Sequence, residues 1–181
     1  MKATIHQSTI EVVRGDITQQ DTEAIGNAAN SALAGGGGVD GAIHRAGGPA
    51  LMSELRTKYK GCPTGSAVIT GGGNLKVKHV IHAVGPRYSG SPKDPQLLSA
   101  AYRKSLELCS QNKISSIAFP SISTGIYGYP VEEASRVALK TAADYLKDHP
   151  EIKLIRFVLF DSRTFSVYEE ALKELTAKAE T

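Results

Sequence analysis

Short β-rich runs and longer stripes of helical period take turns along almost the whole chain, and this alternation restricts the fold more than any other property of the sequence. The pattern predicts strands over residues 9–14, 23–28, 67–70, 79–84, 114–119 and 153–160, most of them bounded by glycine, proline or polar residues. Leu97, Leu98, Ala101, Tyr102, Ser105, Leu106 and Cys109 recur at the spacing of one helix face, as do Ala134, Val137, Ala138, Thr141, Ala142 and Tyr145. Pro49 in a first helical turn, Leu51 and Leu55 on one face and Gly61 as a stop mark a helix over 49–60. Phe165, Tyr168, Leu172 and Leu175 stripe a closing helix. Strands interleaved with helices in this way pack as an α/β domain, with helices on both faces of a largely parallel sheet that is mixed at an N-terminal edge. The 181 residues contain no internal repeat and no linker rich enough to divide them, so one domain spanning 1–181 is expected.

Two loops at strand-to-helix junctions carry the chemistry. The run Gly35-Gly36-Gly37-Gly38-Val39-Asp40-Gly41 follows Asn27-Ala28-Ala29-Asn30 and leads into a helix predicted over 39–46. Four successive residues without Cβ atoms let backbone N–H groups close on an anion, and a helix N-terminus adds its dipole. Glycine runs also serve as plain flexible loops, but a second loop strengthens the anion reading. Residues 121–130, Ser-Ile-Ser-Thr-Gly-Ile-Tyr-Gly-Tyr-Pro, offer hydroxyls and backbone donors at the kind of junction where open α/β sheets bind ligands. Two such loops fit a ligand with two phosphates. A carboxylate at Asp40 would weaken mere binding of phosphate, which suggests that it serves a reaction. His44 shares a helix face with Asp40 but lies one turn deeper, and reads as a packing or hydrogen-bonding residue. His79 and His82, three apart on a strand, fall on opposite faces, and no metal site is expected.

The charge pattern narrows the partners. Net charge is +3, the basic residues are dispersed, and the densest group, 56–60, reads as a solvated helix face, so nucleic acid is not expected as a partner. No run approaches the roughly 20 apolar residues of a membrane span, and residues 1–8 show no secretory pattern. Cys62 and Cys109 lack CxxC spacing and are expected as free thiols in a reducing cytoplasm.

Five motifs occur in a fixed order: Gly15-Asp16-Ile17-Thr18, Asn27-Ala28-Ala29-Asn30, Gly-Gly-Gly-Gly-Val-Asp-Gly-Ala-Ile-His at 35–44, His-Ala-Val-Gly-Pro at 82–86, and Ile-Ser-Thr-Gly-Ile-Tyr-Gly-Tyr-Pro at 122–130. Together they resemble the macrodomains, above all the MacroD-type branch, across nearly the whole chain. The resemblance implies a three-layer α/β/α sandwich around a central mixed, largely parallel sheet, with ADP-ribose as ligand and no cofactor. It assigns Asp16 to the adenine amino group, the Ile17 backbone to the ring beside it, and Phe160 to stacking on the base. Gly35, Gly36, Gly37, Gly38 and Val39 are assigned to one side of the diphosphate, and Ser123, Thr124, Gly125, Ile126 and Tyr127 to the other. Asn30, Asp40 and Tyr127 are placed around the distal ribose, while Asn27 reads as a buried amide tying loops together. The chain departs from the family pattern at Gly26, where valine is common, and at Gly47, where alanine is common. A glycine inside a strand weakens it or permits a close backbone approach, so Gly26 bears on the strand that positions Asn30, and on catalytic rate more than on binding.

The activity implied by the resemblance is hydrolysis. One substrate class is mono-ADP-ribose on acidic side chains of proteins, which makes modified proteins the expected macromolecular partners; the other is O-acetyl-ADP-ribose. Both present an ester on the distal ribose to water. Asn30 and Asp40 are the expected catalytic residues, Asp40 orienting water or a ribose hydroxyl rather than acting as a strong general acid. The same pocket also suits a reader that binds ADP-ribose without turnover, or a phosphatase for ADP-ribose 1″-phosphate.

Overall fold

The computed structural model describes residues 1–179; Glu180 and Thr181, the end of the expected 1–181 domain, lie outside the described residues. Its elements are β1 Lys2–Ile5, β2 Ser8–Arg14, a 3-10 turn Ile17–Gln19, β3 Ala24–Ala28, α1 Gly38–Gly47, α2 Pro49–Lys58, β4 Ala67–Gly71, β5 His79–Ala83, α3 Lys93–Gln111, β6 Ser116–Phe119, α4 Val131–Asp148, β7 Leu154–Leu159 and α5 Ser162–Ala179. Among the described residues the strands form one seven-stranded sheet in the order β1-β2-β7-β6-β3-β5-β4. Neighbours from β2 through β7, β6 and β3 to β5 are parallel. Both edges are antiparallel, β1 on β2 and β4 on β5, so the mixing expected at the N-terminal edge occurs at the far edge as well. The second antiparallel edge escapes sequence reading because β4 returns to β5 through a loop carrying Gly72 and Gly73, and only register reveals its direction. Strand β1 has just one buried residue, Ile5, too little for a periodic signal.

Alternate residues of the strands serve two different layers. Ala24, Ile117, Phe119, Ile155, Phe157 and Leu159 face α3, α4 and α5, forming the larger core with Leu98, Tyr102, Ala138, Leu139 and Tyr168. Ile25, Val80, Ala118 and Val158 face the other way, against Ile43 of α1, Leu51 of α2 and Ile17 of the 3-10 turn. Helix α2 stops at Lys58, short of residue 60, because Tyr59 is extended.

The two unusual glycines answer to packing. A Cβ at Gly26 would sit 2.6 Å from Cδ1 of Phe119, so the Phe119 ring occupies the space a side chain would need. Gly26 stays in register opposite Ile81, so β3 keeps its pairing with β5 through the glycine. Gly47 ends α1 where a Cβ would meet Leu51 Cδ1 at 2.4 Å, which lets α1 turn sharply into α2. Two buried tyrosines fix the loop after β6: the Tyr102 hydroxyl accepts from Ile122 N at 3.0 Å, and Tyr168 shares a 2.7 Å hydrogen bond with Ser121.

Candidate functional site

A cleft crosses the sheet at the C-terminal ends of the parallel strands. It lies above the junction of β3 and β6, where the chain leaves one strand toward β4 and β5 and the other toward β7. Such a switch point splays the loops apart and leaves a crevice. One part, of about 200 Å³, is lined by Ala28, Asn30, Gly36, Asp40, Gly85 and Tyr127 among others. The adjoining part, of about 570 Å³, is lined by Asp16, Ile17, Ala42, Thr124, Phe160 and Asp161 among others. Gly38, Val39, Ser121 and Gly125 wall both parts, so they are two ends of one trough.

Backbone donors meet at the shared middle. Helix α1 begins at Gly38 with Gly37 as an N-cap that offers no side chain, and its first intrahelical bond runs from Gly41 N to Gly37 O. The N–H groups of Gly38, Val39 and Asp40 therefore have no acceptor within the helix, at its positive dipole end. Across the trough, the amides of Gly125, Ile126 and Tyr127 donate to no group among the described residues, because the loop is closed instead by Gly128 N to Gly125 O and Tyr129 N to Ser123 O. Ser123 holds φ +70 and its buried Oγ has no hydrogen-bond partner. Gly85 is what leaves room for that hydroxyl, since a Cβ there would sit 2.2 Å from it. Ile126 is 87% exposed beside the cleft, an aliphatic side chain left without packing.

The wider end carries one aromatic and two carboxylates. Phe160 is 80% exposed, which excludes a place in the core. Asp16 Oδ1 accepts from Thr18 N at 2.9 Å and Thr18 Oγ1 at 2.7 Å, closing the 3-10 turn, while Oδ2 takes no hydrogen bond among the described residues. Asp161 accepts from Thr164 N at 2.8 Å, and that N–H holds its carboxyl below the usual range.

The narrow end is built around Asp40, buried in the first turn of α1. Its Oδ1 accepts from Asn27 Nδ2 at 2.8 Å and lies 3.3 Å from His44 Nε2. A Cβ on Gly36 would be 3.5 Å from Asp40 Oδ2 and 3.9 Å from Asn30 Nδ2, so those two atoms face the same glycine. Asn30 itself is tied into the loop, donating from Nδ2 to Gly35 O at 2.9 Å and accepting at Oδ1 from Ala34 N at 3.1 Å. One Nδ2 hydrogen remains for the cleft. Tyr127 lines this end with the Arg87 guanidinium 5.3 Å above its ring.

The residues singled out in the sequence thus lie along one trough, with one exception. Gly35 does not line it: its φ of +80 turns the chain and its carbonyl is taken by Asn30. Gly37, extended at φ −93, takes no left-handed conformation, whereas Gly38 does at φ +57. Ser121 belongs to the loop expected to offer hydroxyls, and it lines both parts of the trough. Sequence reasoning missed Gly85, which lies in the His-Ala-Val-Gly-Pro stretch but carries no signal of contact by itself, and considered His82 only against a metal site. His82 is buried, and burial first, then the nearby His44 charge, push its pKa down to about 3.

Comparison with known proteins places this architecture. The Macro domain family model matches residues 26–138. A macro domain-containing protein of Caldanaerobacter subterraneus subsp. tengcongensis is 56% identical over 170 residues, covering 92% of this chain and 97% of its own. The O-acetyl-ADP-ribose deacetylase of Escherichia coli (strain K12) is 46% identical over 172 residues, covering 93% of this chain and 97% of its own. A mutant of the Oceanobacillus iheyensis macrodomain with ADPR matches with a TM-score of 0.93 at 46% identity, covering 98% of each chain.

Proposed function

The chain belongs to the macro domain family, and from that premise we propose that it binds ADP-ribose along the trough and hydrolyses esters on the distal ribose. The substrates are O-acetyl-ADP-ribose and proteins carrying mono-ADP-ribose on acidic side chains. The supporting observation is the continuity of the trough: an exposed aromatic and two carboxylates at one end, unpaired amides from two loops in the middle, and Asp40 at the other. An adenine amine, a diphosphate and a ribose ester present the complementary groups in that order. The active unit in this reading is the whole of 1–181 as one macrodomain, working in the cytoplasm.

Phe160 stacks on adenine and a carboxylate accepts from its amine. The Gly38 to Asp40 amides and those of Gly125 to Tyr127 hold the diphosphate, with the Ser123 hydroxyl available as a further donor. This leaves the ester carbonyl beside Asp40. Asp40 Oδ1 is occupied by Asn27 and His44, so Oδ2 is the oxygen that accepts from water or a ribose hydroxyl, and the free Asn30 N–H supplies a donor on the same side. Water adds to the acyl carbon, the acyl–oxygen bond breaks, the ribose oxygen leaves as a hydroxyl and the acyl group as a carboxylate. The ligand's diphosphate is a second anionic acceptor for the water proton. The test is incubation in ¹⁸O water with O-acetyl-ADP-ribose or a glutamate-modified protein, followed by mass spectrometry. Free ADP-ribose with the label in the released carboxylate is expected. Binding of ADP-ribose with both substrates left intact would make the protein a reader, and release of phosphate from ADP-ribose 1″-phosphate in place of ester hydrolysis would make it a phosphatase.

A further inference from the structure

Below the narrow end of the cleft, three adjacent strands place polar side chains on the face that α1 covers. Asn27 of β3 lies opposite His82 of β5 in the parallel register, and Thr70 of β4 reaches the other side of the His82 ring. All three are buried. We propose that Thr70 and His82 are positioning residues for Asp40, acting through Asn27 in a hydrogen-bond chain that runs in one direction only. The proposal rests on the assignment of Asp40 to ester hydrolysis.

Donor and acceptor roles follow from one end of the chain to the other. Thr70 Oγ1 donates to Gly71 O at 2.9 Å, so its lone pair accepts from His82 Nε2–H at 2.9 Å. A neutral imidazole protonated at Nε2 has an acceptor at Nδ1. That atom lies 3.1 Å from Asn27 Nδ2 and takes one of its two hydrogens, while the other goes to Asp40 Oδ1 at 2.8 Å. The pKa of about 3 keeps His82 singly protonated, with burial as the main cause and Glu54 opposing it.

Asn27 shows that this order is imposed. In the orientation that serves both His82 and Asp40, its own Oδ1 is buried without a partner. Rotating the amide would set that oxygen against Asp40 Oδ1, acceptor on acceptor. Buried unpaired acceptors are uncommon because they forfeit water without replacement. This one is held because Nδ2 is needed on both sides. The chain thereby fixes which oxygen of Asp40 is occupied and leaves Oδ2 for the cleft.

Thr70→Val keeps the shape of the side chain and removes the hydroxyl that selects the His82 tautomer; Thr70→Ser keeps the hydroxyl. For Thr70→Val we expect kcat on O-acetyl-ADP-ribose to fall about ten- to a hundredfold, the order seen when a partner orienting a reactive ligand is lost. KM and ADP-ribose affinity should not change, and Thr70→Ser should behave as wild type. In wild type, ring ¹⁵N shifts should show His82 protonated at Nε2 alone, and the Asp40 carboxyl ¹³C shift should move in Thr70→Val but not in Thr70→Ser. Wild-type kcat in Thr70→Val, equal loss in Thr70→Ser, or affinity falling in step with kcat would overturn the chain. A wild-type His82 protonated at Nδ1 would do so without any variant, should Thr70→Val not fold. If wild type hydrolyses neither substrate, the proposed function fails while a moving Asp40 shift still supports the positioning, and a static one refutes it.

Discussion

Replacing Phe160 by alanine separates a ligand-binding ring from a packing ring. A fully buried Phe side chain contributes roughly 1.5–3 kcal/mol to folding, but Phe160 has 80% of its surface in solvent. Its share in stability is therefore on the order of 0.5 kcal/mol, which at this chain length lowers Tm by about 1–2 °C. Among the described residues its side chain makes no hydrogen bond; Arg14 Nε donates to its carbonyl at 3.4 Å, and the substitution leaves that group in place. Stacking of a base on an aromatic ring contributes about 1–3 kcal/mol. Phe160→Ala should thus weaken ADP-ribose binding by roughly five- to more than a hundredfold in Kd with almost no change in melting. Phe160→Trp should restore affinity, and Phe160→Leu, which is apolar without a flat face, should restore little. Titration calorimetry beside a thermal melt reads both quantities on the same samples. An unchanged Kd would remove Phe160 from the base site, and a fall in Tm of many degrees would show that the ring packs after all.

The pair proposed for catalysis should behave in the opposite way: Asn30→Ala and Asp40→Ala are expected to lower turnover by about 10²–10⁴ with a much smaller change in ADP-ribose affinity, and a wild-type single-turnover rate in both would move the chemistry elsewhere. Asp16→Ala should weaken ADP-ribose binding by about ten- to a hundredfold, the value of a charge-assisted hydrogen bond of roughly 1.5–3 kcal/mol; calorimetry giving wild-type affinity would detach Asp16 from the adenine amine. In the glycine loop, Gly38→Val should lower both stability and affinity because φ is +57 there, whereas Gly37→Val meets open space at φ −93 and should fold normally. Equal melting of the two variants would refute that distinction. Gly26→Val drives a side chain into the Phe119 ring, 2.6 Å from where Cβ would stand. Overpacking of this kind costs about 1–3 kcal/mol and should lower Tm by roughly 2–12 °C, and a melt within a degree of wild type would mean that the ring moves aside freely.

Some parts of the site were open to sequence reading because they are local. A glycine run before a helix and a second loop rich in hydroxyls and amides show their donors without any knowledge of tertiary neighbours, and both line the trough. The strands with periodic apolar residues were equally legible. The packing role of Gly26 was hidden for the opposite reason: its neighbour Phe119 lies 93 residues later, and only the pairing of β3 with β6 brings the ring over it. Phe160, just past the end of β7, has the same local pattern as a core residue, and only the folded chain shows it exposed.

The sequence by itself determined the alternation of strands and helices, the two loops rich in backbone donors and the acidic residue at the start of α1, because each depends on residues close together in the chain. The tertiary structure alone decided that the two loops face each other and that the sheet is antiparallel at both edges. It also decided that Asn27, His82 and Thr70 meet beneath Asp40, since these side chains come from three strands and their contact exists only once strand order and register have set one strand beside the next.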